Sequence, residues 1–305
     1  MKKLLFVGAI LIGGIVSAQT TTKKPDLPEV KKDSVSYWNK GALFNLGFSQ
    51  VSLSNWAAGG NSSVSGNAIL NLHAKYKKGV HSWDNTLNLG YGLLKQNKAD
   101  VQKSDDNIEL TSKYGREKTK HWSYAALVNF NTQFTEGYDY PNDSTKISTF
   151  LAPGYLYGAL GMDYKPTSYL SVFLSPITSK TTIVTDTKLS NTGAFGVEPG
   201  EKVRSEFGGY VRADFTKEIM KNVKLNSTLA LFSNYIEEPE NVDVNWEMLV
   251  LMKVNKFITV SLNTKLIYDH DIDIVKDTNG DGNNDVNGPR TQFKEILSVG
   301  FSYKL

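Results

Sequence analysis

The stretch that decides the fold is NWEMLVLMKVNKFITVSLNTKLIY, residues Asn245–Tyr268. It is apolar enough to suggest a membrane helix. Such a helix needs about 20 consecutive apolar residues, and Lys253 and Lys256 near its centre would make insertion unfavourable. Read with a period of two, apolar side chains line one face from Val244 to Met252 and again from Ile258 to Tyr268. Each arm is about as long as a tilted transmembrane strand, so the stretch predicts a membrane-crossing β-hairpin.

The N-terminus reads as an export signal. Two lysines precede an apolar run, and small residues lead up to Ala18. This pattern predicts a signal peptide over residues 1–18, and the polar, proline-containing residues 19–36 predict a flexible periplasmic lead-in. Residues 37–305 remain as one barrel domain. The chain contains no cysteine, which excludes disulfides, thiolate metal sites and a cysteine nucleophile.

Charge excludes one class of partner. Cleavage after Ala18 would leave 32 basic residues against 31 acidic ones, a net charge of +1. Nucleic-acid binding depends on a marked excess of positive charge, so we expect no nucleic-acid partner.

Alternating segments recur from Leu43 to Leu305, about twelve in number, and their connections alternate between short and long. Short turns at one end of the barrel, long loops at the other and an even number of strands are typical of bacterial outer-membrane proteins. The predicted fold is therefore all-β, a transmembrane antiparallel β-barrel of about 12 strands. We expect short turns and both termini on the periplasmic side and long loops outside the cell.

Two further patterns favour a membrane over a soluble barrel. Aromatic residues flank the short turns, as at Tyr76 and Trp83 and again at Tyr114 and Trp122, which predicts a girdle at the headgroup level. The faces opposite the apolar ones are polar and would enclose the lumen, because a closed ring satisfies every backbone group in lipid. A soluble barrel has the reverse polarity, and alternation alone does not separate the two.

A family resemblance accompanies these patterns. It is carried by FSQVSLSNWAAGG (Phe48–Gly60), WDNTLNLGYGLLKQ (Trp83–Gln96), FLAPGYLYGALGMDYKP (Phe150–Pro166) and NVDVNWEMLVLMKVNK (Asn241–Lys256). These stretches resemble an uncharacterised family of Bacteroidetes outer-membrane β-barrel proteins, number 3078 in the domain-of-unknown-function series. The resemblance implies a location and a barrel but no activity, so it supplies no catalytic residue.

Charged residues on the polar faces are the candidate lumen site. Glu206, Arg212 and Asp214 fall on one strand, and Asp243 and Glu247 fall two strands further on. Together they could form a constriction that selects solutes by charge. The alternative is an ion-pair network that only fills a narrow barrel, because buried charges require partners. His73, in the middle of a strand, also faces this lumen.

A second candidate is DTNGDGNND, in which Asp277, Asn279, Asp281 and Asp285 have the spacing of a calcium loop, with Gly282 at the sharp turn. The twelfth position is Gly288 rather than the usual glutamate, so Asp271 or Asp273 would have to complete the shell. The same composition also suits a plain soluble loop. We therefore carry Ca²⁺ in the 277–285 loop as a hypothesis.

These patterns leave three alternative functions. The first is passive passage or binding of a small polar solute, and the alternative is a closed structural or adhesive barrel that displays its loops. An outer-membrane lipid hydrolase is the third, but His73 points away from lipid and no G-x-S-x-G occurs, so we expect no enzyme. The expected partners are outer-membrane lipid and the barrel-assembly machinery, whose insertion signal the alternating Val299, Phe301, Tyr303 and Leu305 resemble.

The calcium hypothesis predicts that a chelator lowers the melting temperature of the purified protein, because a bound ion stabilises only the folded state. Circular dichroism melts with and without chelator measure this. Asp277→Asn combined with Asp281→Asn is the control and should melt alike in both buffers. A wild-type melt indifferent to chelator would remove the calcium site.

Overall fold

The structure, a computed structural model, describes residues 36–52, 62–96, 99–140, 142–274 and 288–304. The predicted signal peptide, nearly all of the lead-in and the four calcium-loop residues lie outside the described residues. These three interpretations stay predictions.

Twelve long strands form the barrel, and two short strands form a hairpin in one loop. They are β1 (Trp38–Val51), β2 (Ser63–Lys78), β3 (His81–Gln96), β4 (Gln102–Glu117), β5 (Trp122–Thr132), β6 (Gly137–Tyr138), β7 (Lys146–Ser148), β8 (Gly154–Thr167), β9 (Leu170–Ile183), β10 (Val203–Met220), β11 (Val223–Asn234), β12 (Asp243–Lys253), β13 (Ile258–Tyr268) and β14 (Gln292–Lys304). A short helix α1 (Thr187–Asn191) and a 3₁₀ turn (Ala194–Gly196) lie between β9 and β10.

The strands close into a ring in chain order, with β6 and β7 outside it as a separate pair. Every neighbouring pair is antiparallel, and β14 closes onto β1 through residues Leu43–Phe48 opposite Val299–Lys304. This confirms the predicted all-β barrel of twelve strands. The connections also alternate as predicted, so β1 starts and β14 finishes at the end of the barrel that carries the short turns.

Side-chain direction follows the period-two pattern. On the outer wall Leu110, Val128 and Leu160 are 44%, 49% and 58% exposed, whereas the inward Leu127 is 1% exposed. Large apolar side chains on the outside of a ring are unfavourable in water and favourable in lipid. The outer wall therefore has the chemistry of a membrane-facing surface.

Strand register brings the aromatic residues near the short turns to one height. Tyr76 stands opposite both Trp38 and Trp83, and Trp83 stands opposite Tyr114. Trp122 is opposite Tyr164, and their ring centroids are 4.6 Å apart. Amphipathic rings at a common depth are the arrangement expected where hydrocarbon meets headgroups.

One boundary differs from the prediction. The sequence suggests a loop over Thr178–Val203, but β9 continues to Ile183 and the loop covers residues 184–202. A β-bulge causes the difference, since the pairing of β9 shifts between Ser175 and Thr178 against β10 and between Leu174 and Ile177 against β8. A bulge inserts an extra residue and so reverses which residues face inward beyond it. Among the described residues, no helix is long and apolar enough to cross a membrane.

The lipid-facing wall generates a prediction at Leu160, in the middle of β8. Leu160→Arg should reduce the free energy of unfolding in lipid vesicles by about 2–4 kcal/mol, the range for a cation placed at the bilayer midplane. Denaturant titration of vesicle-embedded protein measures the loss. Thr145→Arg in the β6–β7 loop is the control and should change little. Equal stability of both variants would mean that Leu160 does not face lipid.

Candidate functional site: the barrel interior

The six predicted lumen residues all lie on inward faces, but at different depths. Glu206 and Asp243 lie towards the long-loop end, and Arg212, Asp214 and Glu247 lie near the middle of their strands. His73 lies on β2 opposite Gly41 and Thr86 and is partly buried. Instead of one constriction, the structure places the five acidic and basic residues of this set in separate ionic clusters, each completed by residues of other strands.

The loop-end cluster is organised around Lys180 of β9, which is 2% exposed. Its Nζ lies 2.6 Å from Asp243 Oδ2, 3.1 Å from Asp269 Oδ2 and 3.3 Å from Glu206 Oε2. A buried ammonium is tolerated only when oxygen acceptors replace its water. Strands β9, β10 and β12 and the end of β13 are therefore joined through a single side chain.

The central cluster crosses the lumen. Arg212 of β10 lies 3.4 Å from Glu109 of β4, although three strands separate β10 from β4 along the shorter arc of the ring. Arg212 also donates to Asp214 at 3.1 Å, and both Arg212 and Glu109 are over 90% buried. An ion pair between strands four places apart in the ring is possible only if the barrel is narrow at this depth.

Neighbouring amides complete the environment of Glu109. Asn88 and Asn129 donate to its two oxygens at 2.9 and 3.0 Å. Glu247, further round the ring, pairs with Lys265 of β13 at 2.5 Å. Each charge in the middle of the barrel thus has a charged partner, as a low-dielectric interior requires.

A third cluster lies near the short turns. Lys113 of β4 contacts Asp163 of β8 at 2.9 Å and donates to Ser171 of β9 at 2.8 Å. Lys165 bridges Asp163 and Asp84 of β3, both at 3.3 Å. These contacts span the ring from β3 to β9.

A second pair crosses the barrel nearer the loops. Lys294 of β14 lies 2.5 Å from Asp105 of β4, with β1, β2 and β3 between them. The Lys294 side chain remains 40% exposed, whereas Asp105 is 6% exposed. Water therefore reaches this bridge from one side.

The interior is packed unevenly around the ring. One half holds an apolar cluster from β5, β8, β9, β10 and β11, whose members are Ala125, Leu127, Ala159, Phe173, Tyr210 and Phe232. On the other half some inward side chains are buried, among them Asn45, Ser261 and Ser298, whereas Glu247 is 30% exposed. Asp214, at the edge of the apolar cluster, is 35% exposed. Accessible charged side chains therefore occur at separate positions along the interior.

The loops at the long end form their own packed layer. Ala152, Val184, Leu189 and Val197 make an apolar cluster that joins the loop before β8 to the loop before β10. Lys146 ties the β6–β7 hairpin to the N-cap of α1 through Asp186 at 2.6 Å. The hydrogen bond from Lys146 holds the pKa of the Asp186 carboxyl below its usual value, so this contact persists into mildly acidic solution.

Arg204 connects this layer to the barrel. It donates to the carbonyl of Gly196 at 3.2 Å and pairs with Glu237 at 3.2 Å and Asp271 at 2.9 Å. Three separate loops therefore meet at one guanidinium, whose flat fork suits several oxygen acceptors.

Metal binding receives no support within the part of the chain that the structure describes. No three His, Asp or Glu side chains there converge as metal ligands. Asp271, which the sequence offers as an extra calcium ligand, is engaged with Arg204.

Sequence reasoning missed the partners that complete these clusters. Lys180 lies in the segment predicted as a loop, and the bulge hides its inward direction. Glu109 follows the strand alternation and could have been placed inside, but no local signal pairs it with Arg212, 103 residues away. Cross-lumen contacts depend on the closed ring, which a linear pattern does not encode.

Comparison with known family models finds a match over part of the chain. Residues 48–138 match the family described as "Protein of unknown function (DUF3078)". No curated protein matches.

Solved structures give weak likenesses. An outer membrane channel from Pseudomonas putida F1 has a TM-score of 0.38 and 10% identity, covering 92% of this chain and 100% of that one. The NanC porin has a TM-score of 0.38 and 8% identity, covering 85% and 98%. The translocator domain of the autotransporter NalP from Neisseria meningitidis has a TM-score of 0.30 and 10% identity, covering 89% and 90%. Since these TM-scores are below 0.5, the barrel assignment rests on the strand pairing.

The cross-lumen pair generates a test of coupling. Arg212→Met alone should destabilise the barrel by about 3–5 kcal/mol, because it leaves Glu109 buried without a cation. Adding Glu109→Gln should recover part of that loss, since one uncompensated charge is then removed. Unfolding of wild type, both single variants and the double variant gives the cycle. Strictly additive losses would mean that the two residues do not interact across the lumen.

Proposed function

We propose that this protein is a narrow outer-membrane passage for small ions and polar solutes. The observation that carries the proposal is that three charged side chains on the inward face, Asp214, Glu247 and Lys294, remain 35%, 30% and 40% exposed. An interior built only for stability would pack these positions as tightly as the apolar half.

The crossing ion pairs determine how narrow the passage is. Twelve-strand rings lie between eight-strand barrels filled by side chains and sixteen-strand porins with a water channel. Here Arg212–Glu109 and Lys294–Asp105 each bridge strands four places apart in the ring and restrict the open cross-section. We therefore expect a low conductance and exclusion of solutes as large as oligosaccharides.

The location and orientation belong to the same proposal. We place the barrel in the outer membrane with its short turns and both termini in the periplasm and its long loops outside. The apolar outer wall and the aromatic residues at the short-turn end support a membrane location. Outer-membrane lipid then contacts the outer wall, and the barrel-assembly machinery inserts the chain.

A closed barrel that displays its loops is the second candidate. The packed layer at the loop end favours it, because the apolar cluster around Val184 and Leu189 gives the loops a fixed structure. A lipid hydrolase gains no such support, since His73 lies on the inward face, away from the acyl chains of the bilayer.

Conductance separates the passage from the closed barrel. Purified protein in planar bilayers should give small single-channel steps, and Lys294→Met should enlarge them severalfold by removing the Lys294–Asp105 bridge. The physical reason is that conductance rises with the narrowest cross-section of a water-filled path.

Lys103→Met is the matched control. Lys103 pairs with Asp106 at 2.9 Å, but it stands opposite Leu93 on the outer wall, so its loss leaves the lumen unchanged. Silent bilayers for wild type and for Lys294→Met, together with silent Arg212→Ala and Glu247→Ala, would favour the closed barrel.

A further inference from the structure

The loop-end cluster contains more acidic groups than its cation needs. Lys180 is surrounded by carboxylates of Glu206, Asp243 and Asp269, three negative charges around one ammonium. Arg204 contributes a second cation at 3.6 Å from Glu206, but it is shared with Glu237 and Asp271. The region therefore keeps an excess of negative charge after all its contacts are made.

A small cavity lies beside this cluster. It is lined by Glu206, Asn234, Glu237, Glu238, Asn241, Asp243, His270 and Asp271, a set that includes five acids and no lysine or arginine. Its volume is about 10 Å³, close to the space that one water molecule requires. A group as small as an ammonium head fits this space.

One acceptor in the cavity wall has no hydrogen bond. Glu206 is 5% exposed, and its Oε1 is buried without a hydrogen bond, with the nearest guanidinium nitrogen of Arg204 3.6 Å away. A buried carboxylate oxygen without a donor is unfavourable, and native structures usually satisfy it with a partner. The position is thus suited to a ligand that brings its own N–H groups.

The chemistry already present indicates which ligand. An ammonium, that of Lys180, is held by carboxylates in tight contact, whereas no three ligands among the described residues converge on a metal position. A primary ammonium offers three N–H donors that can contact several separate oxygens, which is what Glu206, Asp243 and Asp271 present.

We propose that the loop-end cluster is a binding site for solutes that carry a primary ammonium group, with Lys180 as an internal competitor for the same carboxylates. The proposal deepens the proposed function, because it assigns amine cations as the solute class of the passage. A solute that enters from the loop side meets this site before it reaches the mid-barrel pair Arg212–Glu109. Removal of Lys180 leaves room that an external amine can occupy.

Chemical rescue tests the site directly. Lys180→Ala removes the side chain beyond Cβ, and n-propylammonium supplies the missing carbons and nitrogen. The variant's melting temperature in detergent should rise by several degrees with n-propylammonium, following the logarithm of its concentration, and by much less in wild type. Tetramethylammonium has the same charge but no N–H donor and should not reproduce the rise.

Two matched variants make the result specific. Lys113→Ala removes another buried lysine, but among the described residues only the carboxylate of Asp163 pairs with it, so n-propylammonium should rescue it weakly. Lys180→Ala with Glu206→Gln should lose most of the rescue. Equal rescue of Lys113→Ala, or equal effects of the two ammonium ions on Lys180→Ala, would overturn the proposal.

If Lys180→Ala does not fold, the ion selectivity of the wild-type channel tests the same ammonium site. Reversal potentials should show that methylammonium permeates more readily than sodium, and Glu206→Gln should reduce that preference severalfold. An unchanged preference in Glu206→Gln would contradict the site. If n-propylammonium rescues Lys180→Ala but the protein gives no conductance in bilayers, the proposed passage is refuted and the ammonium site stands. If the protein conducts but shows neither rescue nor a preference for amines, only the ammonium site is refuted.

Discussion

The rest of the structure depends on one constraint, that a backbone crossing lipid must satisfy all of its hydrogen bonds internally. Strands meet this only in a closed ring, and β14 completes the ring by pairing with β1. Once the ring is closed, period-two alternation sends each side chain either to lipid or to the lumen. The polar residues of this chain therefore have no position inside the membrane except the interior, and the size of the ring determines how they are accommodated.

The lumen of this twelve-strand ring is too narrow for isolated hydrated charges, so the charged side chains pair with one another across it. Arg212 reaches Glu109 and Lys294 reaches Asp105, so the pairs connect walls that share no backbone hydrogen bond. The apolar cluster around Phe173 fills the half where few charges occur. Stability and permeability are consequently linked, because each bridge that holds two walls together also narrows the path between them.

The sequence was sufficient for the part of the fold that alternation encodes. It predicted the strand number, the sorting of loops and the inward direction of Glu206, Arg212 and Glu247, since each follows from a local period and from the length of a membrane crossing. It was not sufficient at the bulge between Ser175 and Thr178, where one extra residue reverses the pattern and conceals Lys180. It also could not pair Arg212 with Glu109, because that contact exists only after distant strands are joined in a ring.

Two features of the loop end act together. Three carboxylates surround Lys180, and the outer loop layer is joined to the barrel through Arg204. An amine that displaced Lys180 would also alter the field at Arg204, since Glu206 contacts both cations. Arg204 in turn holds Gly196, Glu237 and Asp271, which belong to three different loops. Occupancy of the carboxylate cluster and the arrangement of the loops above it are thus coupled through a single side chain, Glu206.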